Sequence, residues 1–169
     1  MRSKGRLILA GLVAAALAAS LFGCMGNWFT QTQKASLIFG NPVASGGTST
    51  ILVSVTDMPS GGLASLAVQA GGLTLPTAKV SNVQVSGLNG FTVLAQRYDS
   101  STGNVLFVIS NANTGSTGGT VAKITFTGSI TAADVATGAS HMQLGSAQNT
   151  LITGWQIVGG SNGKAYYAK

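Results

Sequence analysis

Short runs in which every second residue is apolar recur along most of this chain, and they set the class of fold. Ile51, Val53 and Val55 lie two residues apart, and residues 91–95 and 105–109 repeat the spacing. Successive side chains of a β-strand point to opposite faces of the sheet, so residues two apart share a face. The pattern therefore predicts half-buried strands, with Phe91, Val93 and Ala95 expected on one common face.

Nine segments carry this alternation or a related short apolar run. They are residues 35–40, 50–57, 63–69, 78–85, 91–98, 104–110, 119–127, 140–144 and 151–158. The breaks between them, such as residues 59–62 (PSGG) and 99–103 (DSSTG), are rich in residues that favour turns. About nine short strands without a long helical pattern predict an all-β sandwich.

One segment departs from the strand pattern. In residues 129–136 (SITAADVA), Thr131 precedes Asp134 by three residues, which is a weak form of the capping box. The sequence predicts a single helical turn here, with Ser129 or Thr131 as its N-cap.

Charged residues are scarce and scattered. They make up 7% of the chain, glutamate is absent, and the formal net charge is +6, whereas about 25% of residues are charged in typical soluble domains. Beyond residue 23, six lysines and arginines stand singly against three aspartates. Without a basic run, nucleic acid is not a predicted partner. Neutral polar residues must supply most of the surface, as is common on secreted β-rich proteins.

The N-terminus carries the features of an export signal. Residues 1–6 (MRSKGR) are basic, and residues 7–22 (LILAGLVAAALAASLF) are almost entirely apolar. The apolar run is shorter than the roughly 20 residues that span a bilayer comfortably. A basic segment followed by a short apolar segment is typical of a cleaved leader rather than a permanent membrane helix.

The end of the leader, residues 21–24 (LFGC), resembles the lipobox of bacterial lipoprotein precursors. The resemblance implies that the Cys24 thiol receives a diacylglycerol, that the leader is cut just before Cys24, and that a membrane holds the mature chain through this lipid. The alternative is an ordinary secretory signal with a chance cysteine nearby. That alternative leaves a single free thiol in an oxidising compartment.

The predicted organisation follows from these features. Residues 1–23 form the signal peptide, 24–34 a lipidated tether, 35–160 the sandwich and 161–169 a C-terminal tail. The expected location is the cell envelope, with the exported chain lipid-anchored to the outer membrane or at the cell surface.

Three segments of the predicted sandwich resemble the cohesin family. They are residues 51–68 (ILVSVTDMPSGGLASLAV), 104–128 (NVLFVISNANTGSTGGTVAKITFTG) and 154–160 (GWQIVGG). The resemblance implies a jelly-roll β-sandwich related to carbohydrate-binding modules, with a non-catalytic recognition role. Residues 63–76 (LASLAVQAGGLTLP) lack the acidic groups and the Tyr-Asp-Pro-like segment typical of dockerin-binding cohesins. The family's partner-binding residues are therefore not carried over.

The sequence offers little for catalysis. Hydrolysis of a glycosidic bond usually needs two facing carboxyl groups, but Asp57, Asp99 and Asp134 each stand where a turn or a helix start explains them. His141 is the only histidine, and one histidine without cysteine or glutamate partners does not make an ordinary zinc site. A calcium site at Asp57 or Asp99 would need more oxygen ligands than either loop clearly supplies. We predict neither an enzyme, nor a cofactor, nor a metal site.

Binding is the better-supported class of function. Aromatic and arginine side chains are frequent at the energetic centres of interfaces. The candidate contact residues are Gln96, Arg97, Tyr98, Trp155, Tyr166 and Tyr167. Trp155 lies inside an apolar segment, so packing in the core is its alternative role. For Tyr166 and Tyr167 the alternatives are a solvent-exposed tail and a strand that pairs elsewhere.

Two functions remain open at this point. The first is an anchored recognition domain for a protein or a carbohydrate. The second is a subunit of a surface fibre or layer, a homo-oligomer in which sandwich edges join neighbouring copies by strand addition.

Overall fold

The computed structural model describes residues 35–112 and 115–159, together with the backbone of the strand Tyr166–Tyr167. Strands dominate this part of the chain. They are β1 (Ser36–Phe39), β2 (Val43–Ser45), β3 (Thr48–Thr56), β4 (Leu63–Val68), β5 (Leu73–Thr74), β6 (Ser81–Gly87), β7 (Thr92–Tyr98), β8 (Val105–Ser110), β9 (Gly119–Thr127), β10 (Ala136–Thr137), β11 (Met142–Ser146), β12 (Gln156–Val158) and β13 (Tyr166–Tyr167).

The strands form two main sheets. The large sheet has the order β13-β12-β1-β3-β9-β6, with β2 also paired to β3, and the small sheet has the order β11-β4-β8-β7. Strands β5 and β10 form a separate two-stranded pair. Strand β12 runs parallel to β1, whereas the other pairings of the two main sheets are antiparallel. The predicted all-β sandwich is confirmed.

One hydrophobic core joins the inner faces of the two sheets. Ile51 and Val53 of β3 are fully buried from the large sheet, and Phe107 and Ile109 of β8 are buried from the small sheet. Fully burying a side chain of this size contributes about 1.5–3 kcal/mol. The residues that the two-residue spacing groups on one face of β3 and of β8 are thus the inward ones.

The strands that the sequence pattern misses are short. Strands β2, β5, β10 and β13 span two or three residues each, which is too few for a period-two signal. Strands β1 and β2 both pair with β3, at different positions along it. A two-residue hairpin turn at Gly46 and Gly47, whose φ angles are 59° and 82°, connects β2 to β3. Positive φ at both central residues is what a type I′ hairpin turn requires.

The helical segment takes the predicted form. Residues Ala132–Asp134 make one 3₁₀ turn that Thr131 precedes. The Asp134 carboxylate accepts hydrogen bonds from the backbone N–H of Thr131 at 2.9 Å and from its hydroxyl at 3.0 Å. A second 3₁₀ turn spans Ala139–His141. Among the described residues there is no helix with the length and apolar character needed to span a membrane.

Candidate binding face

The outer surface of the small sheet carries an apolar patch around one arginine. Leu106 and Val108 of β8 lie between its buried residues and are half-buried. Val108 pairs with Ala67 on one side and Ala95 on the other, and Leu106 pairs with Arg97. Paired residues share a face of the sheet, so these five side chains form a continuous surface. We call Ala67, Ala95, Arg97, Leu106 and Val108 the docking face.

A shallow groove of about 290 Å³ runs along this surface, and its lining includes Ala95, Arg97, Leu106 and Val108. Gln69, just beyond β4, adds a polar group at the side. An antiparallel sheet that faces water on one side normally alternates apolar inward and polar outward residues. The docking face breaks that rule because β8 is apolar on both sides.

A β-bulge in β7 decides which residues reach the docking face. The register against β8 shifts between Val93 and Ala95, so that Val93 lies opposite inward Ile109 but Ala95 lies opposite outward Val108. The prediction that Val93 and Ala95 share a face is therefore wrong. An inserted residue, here Leu94, reverses the alternation beyond it. Leu94 is itself 66% exposed.

The same shift places Arg97 on the outer face. The Arg97 guanidinium has no ion-pair or hydrogen-bond partner among the described residues. The salt bridge found among them joins Lys79 and Asp134 instead. An exposed cation beside Leu106, with no carboxylate partner in the described part of the chain, is suited to an acidic group of a partner.

Gln96 has a structural contact instead. It lies opposite inward Phe107, and its side-chain carbonyl accepts a hydrogen bond from the backbone N–H of Val85 at 2.6 Å. Val85 belongs to β6, the edge strand of the large sheet, so this bond joins the edges of the two sheets. Gln96 satisfies a backbone donor that the sheet itself leaves unpaired.

Tyr98 also faces inward. It lies opposite buried Val105 and packs against the core. Its hydroxyl is buried without a hydrogen-bond partner among the described residues. Burial raises the pKa of Tyr98, and the nearby Asp99 carboxylate adds to the effect. Of the three neighbouring candidates in β7, Arg97 belongs to the docking face, Gln96 also lines the groove, and Tyr98 packs against the core.

The remaining candidate residues lie elsewhere. Trp155 is 2% exposed and belongs to the hydrophobic core, which is the alternative role considered for it. In β13, Tyr166 pairs with Ile157 and Tyr167 with Gln156, so this part of the chain forms a strand of the large sheet. Cys24 lies outside the described residues.

The three carboxylates have local roles. A hydrogen bond from the Ser101 hydroxyl at 2.6 Å, joined by its backbone N–H, lowers the pKa of Asp99 to about 2. The Lys79 ammonium, 2.7 Å from the Asp134 carboxylate, lowers the pKa of that group to about 2 together with bonds from Thr131. Asp57 adopts a left-handed φ of 55° in the turn after β3. In the described part of the chain, no three His, Cys, Asp or Glu side chains converge on one point.

The docking face had one signal in the sequence. Residues 105–109 (VLFVI) are apolar at every position, whereas a strand with one solvated face should alternate. Leu106 and Val108, which period-two reasoning assigns to solvent, are the residues that make this outer face apolar.

Comparison with known proteins gives a likeness to solved structures but not to known sequences. No protein-family model and no curated protein matches the sequence. Among solved structures, the chain is similar to the cohesin module from the Clostridium perfringens ATCC13124 family 33 glycoside hydrolase, with a TM-score of 0.48 and 8% sequence identity. The likeness covers 68% of this chain and 88% of that one. At this identity no residue role is transferred to this chain.

Proposed function

We propose that this chain is an exported, lipid-anchored protein of the cell envelope that binds a protein partner through the docking face. The observation that carries the proposal is the outward apolar surface of β8 and β7 around Arg97, which has no ion-pair partner among the residues that the structure describes. Contiguous exposed apolar surface is a mark of an interaction site. A rigid sheet presents it with little loss of conformational freedom on binding.

The chemistry of the docking face defines the partner. Ala67, Ala95, Leu106 and Val108 offer aliphatic contacts, and Arg97 offers the charge. A complementary surface therefore combines apolar side chains with a carboxylate that pairs with the guanidinium. Because interface arginines surrounded by apolar contacts are frequent hot spots, Arg97 should contribute disproportionately to affinity.

Charge reversal at Arg97 tests this proposal. We expect Arg97→Glu to raise the dissociation constant of the partner by about 30-fold or more, since loss of a hot-spot residue costs about 2 kcal/mol or more. The partner would be recovered from envelope extract by crosslinking, and its affinity measured by surface plasmon resonance. The matched control is Lys123→Glu, because Lys123 lies opposite Leu52 in the large sheet, away from the docking face.

Equal loss of affinity in both variants would mean that net charge, not the docking face, drives binding. Concentration-dependent polymers in light scattering, with no other partner captured, would instead support the fibre subunit. That alternative would use open strand edges such as β2, where Val43 is 66% exposed.

The lipid anchor has its own test. We expect Cys24→Ala to abolish incorporation of labelled fatty acid and to release the chain from membranes, because two or three acyl chains supply the membrane affinity. Cell fractionation with metabolic labelling measures both effects. Labelled lipid on the variant would overturn the assignment of Cys24 as the lipidated residue. If the variant carried no label but stayed in the membrane fraction, the leader would be retained as the anchor.

A further inference from the structure

A second pocket lies on the small sheet, at the opposite end from the Arg97 groove. Residues 64–65 of β4, 110–112 at the end of β8, and 146, 147 and 149 around the turn after β11 surround a volume of about 290 Å³. Ser110 follows Leu106 by four residues, which places it roughly 13 Å further along the strand. We call this the hydroxyl pocket, after its serines Ser65, Ser110 and Ser146.

The centre of the hydroxyl pocket is a pair of serines beside a glycine. Ser65 of β4 pairs with Ser110 of β8 on one side and with Gly145 of β11 on the other. A β-carbon at Gly145 would collide with the Ser65 hydroxyl oxygen. The missing side chain at Gly145 therefore leaves room for the Ser65 hydroxyl itself.

Several polar groups of the pocket remain available to a ligand. The Ser65 and Ser110 hydroxyls and the Asn149 side-chain amide have no hydrogen-bond partner among the described residues. The Ser146 hydroxyl, by contrast, bonds to the Thr150 hydroxyl at 2.7 Å and thereby fixes the turn that carries Asn149. The sheet and this turn hold the free donors and acceptors in place before any ligand arrives.

The pocket is also neutral and partly apolar. None of its lining residues is charged, and Ala64, Ala112 and Ala147 add small apolar surfaces between the polar groups. Without a lysine or arginine it is poorly suited to phosphate, and without a carboxylate it is poorly suited to a metal cation. Hydroxyls and an amide beside methyl groups match a ligand that carries both hydroxyl groups and C–H faces.

We propose that the hydroxyl pocket binds a neutral polyhydroxylated ligand, a single sugar ring at the end of a glycan. This site does not depend on protein docking at Arg97. The sugar-binding proposal and the protein-docking proposal can therefore be refuted independently, since the two sites lie at opposite ends of the small sheet and share no lining residue.

The test is a titration of the ¹⁵N-labelled full chain, followed by amide NMR in a phosphocholine detergent, because glucoside and maltoside detergents would themselves present sugars. The probes are glucose, galactose, mannose, rhamnose and N-acetylglucosamine. We expect at least one sugar to shift the amides of residues 64–65, 110–112 and 146–149 saturably.

Variants then assign the binding to the side chains. The double variant Ser65→Ala/Ser110→Ala should raise the dissociation constant about tenfold or more, because it removes two neutral hydrogen bonds. It should keep the wild-type spectrum elsewhere, since neither hydroxyl has a hydrogen-bond partner within the described ranges. Asn149→Gly should also weaken binding while it permits the left-handed φ of 57°. Two controls, Ser86→Ala on the large sheet and Arg97→Glu, should leave sugar binding unchanged.

Three results would overturn the proposal. The first is that no sugar of the panel shifts the pocket amides. The second is that the double variant binds as tightly as the wild type. The third is that inorganic phosphate or acetate, added as charged probes, shifts these amides where the sugars do not.

Discussion

Replacing Trp155 by alanine is expected to lower the free energy of unfolding by about 3–5 kcal/mol. The side chain is 2% exposed within the core and immediately precedes β12, the strand that pairs in parallel with β1. Its removal deletes a large apolar contact and leaves a cavity that the surrounding sheets fill only in part. Domains of this size are stabilised by about 5–15 kcal/mol, so the variant should lose a large share of the total.

Urea unfolding followed by far-ultraviolet circular dichroism measures this effect, because tryptophan fluorescence changes with the substitution itself. The control is Leu151→Ala, which removes an apolar side chain from the same segment at a site that is 67% exposed. That variant should change the free energy by no more than about 0.5 kcal/mol. If Trp155→Ala were equally mild, Trp155 would not be a core residue.

Gly103→Ala is expected to lower the free energy of unfolding by about 3 kcal/mol, for two separable reasons. Gly103 has a φ of 76°, a conformation that costs other residues about 1–2 kcal/mol. A β-carbon there would also collide with the Leu75 carbonyl oxygen, and relief of such an overlap costs about 1–3 kcal/mol. The Gly103 carbonyl accepts a hydrogen bond from Leu75 N–H at 2.9 Å, so the two backbones cannot separate without loss.

Gly47→Ala separates the two reasons. Gly47 has a similar φ of 82°, but a β-carbon there meets no atom within 4 Å. The same denaturation experiment should therefore show a loss of about 1–2 kcal/mol, which is the conformational part alone. If both variants lost the same free energy of unfolding, the close approach of the Leu75 carbonyl to Gly103 would add nothing to the cost of the substitution.

The inward faces of the long strands follow from local sequence. Ile51, Val53 and Val55 are each fully buried, as their spacing predicts. A side chain's face depends only on its position along an extended backbone, so period-two reasoning succeeds wherever a strand is regular. The same holds for the turn at Ala132–Asp134, whose Thr131–Asp134 contact spans three residues.

The docking face was only half visible in the sequence. Residues 96–98 (QRY) stand together as contact candidates, yet the bulge at Leu94 turns Arg97 outward and leaves Gln96 and Tyr98 opposite inward residues of β8. A bulge depends on the pairing with a neighbouring strand, here β8, and β7 alone does not reveal it. Regular alternation from Phe91 would have placed Arg97 inside the sandwich.

The hydroxyl pocket had no signal in the sequence. Ser65, Ser110 and Gly145 are unremarkable singly in a chain rich in serine and glycine. They become neighbours because β4 pairs with both β8 and β11. Contacts between residues so far apart in the chain depend on which strands pair, and no local pattern encodes that choice.

By itself, then, the sequence determined the all-β class, the positions of the longer strands and the expectation of a leader that is cut just before Cys24. These features depend on neighbouring residues, through side-chain alternation, turn preference and a short apolar run. Only the tertiary structure decided that Trp155 packs in the core, that Arg97 faces outward and that Ser65 and Ser110 share a pocket. Those outcomes depend on strand register and sheet packing, which bring distant segments together.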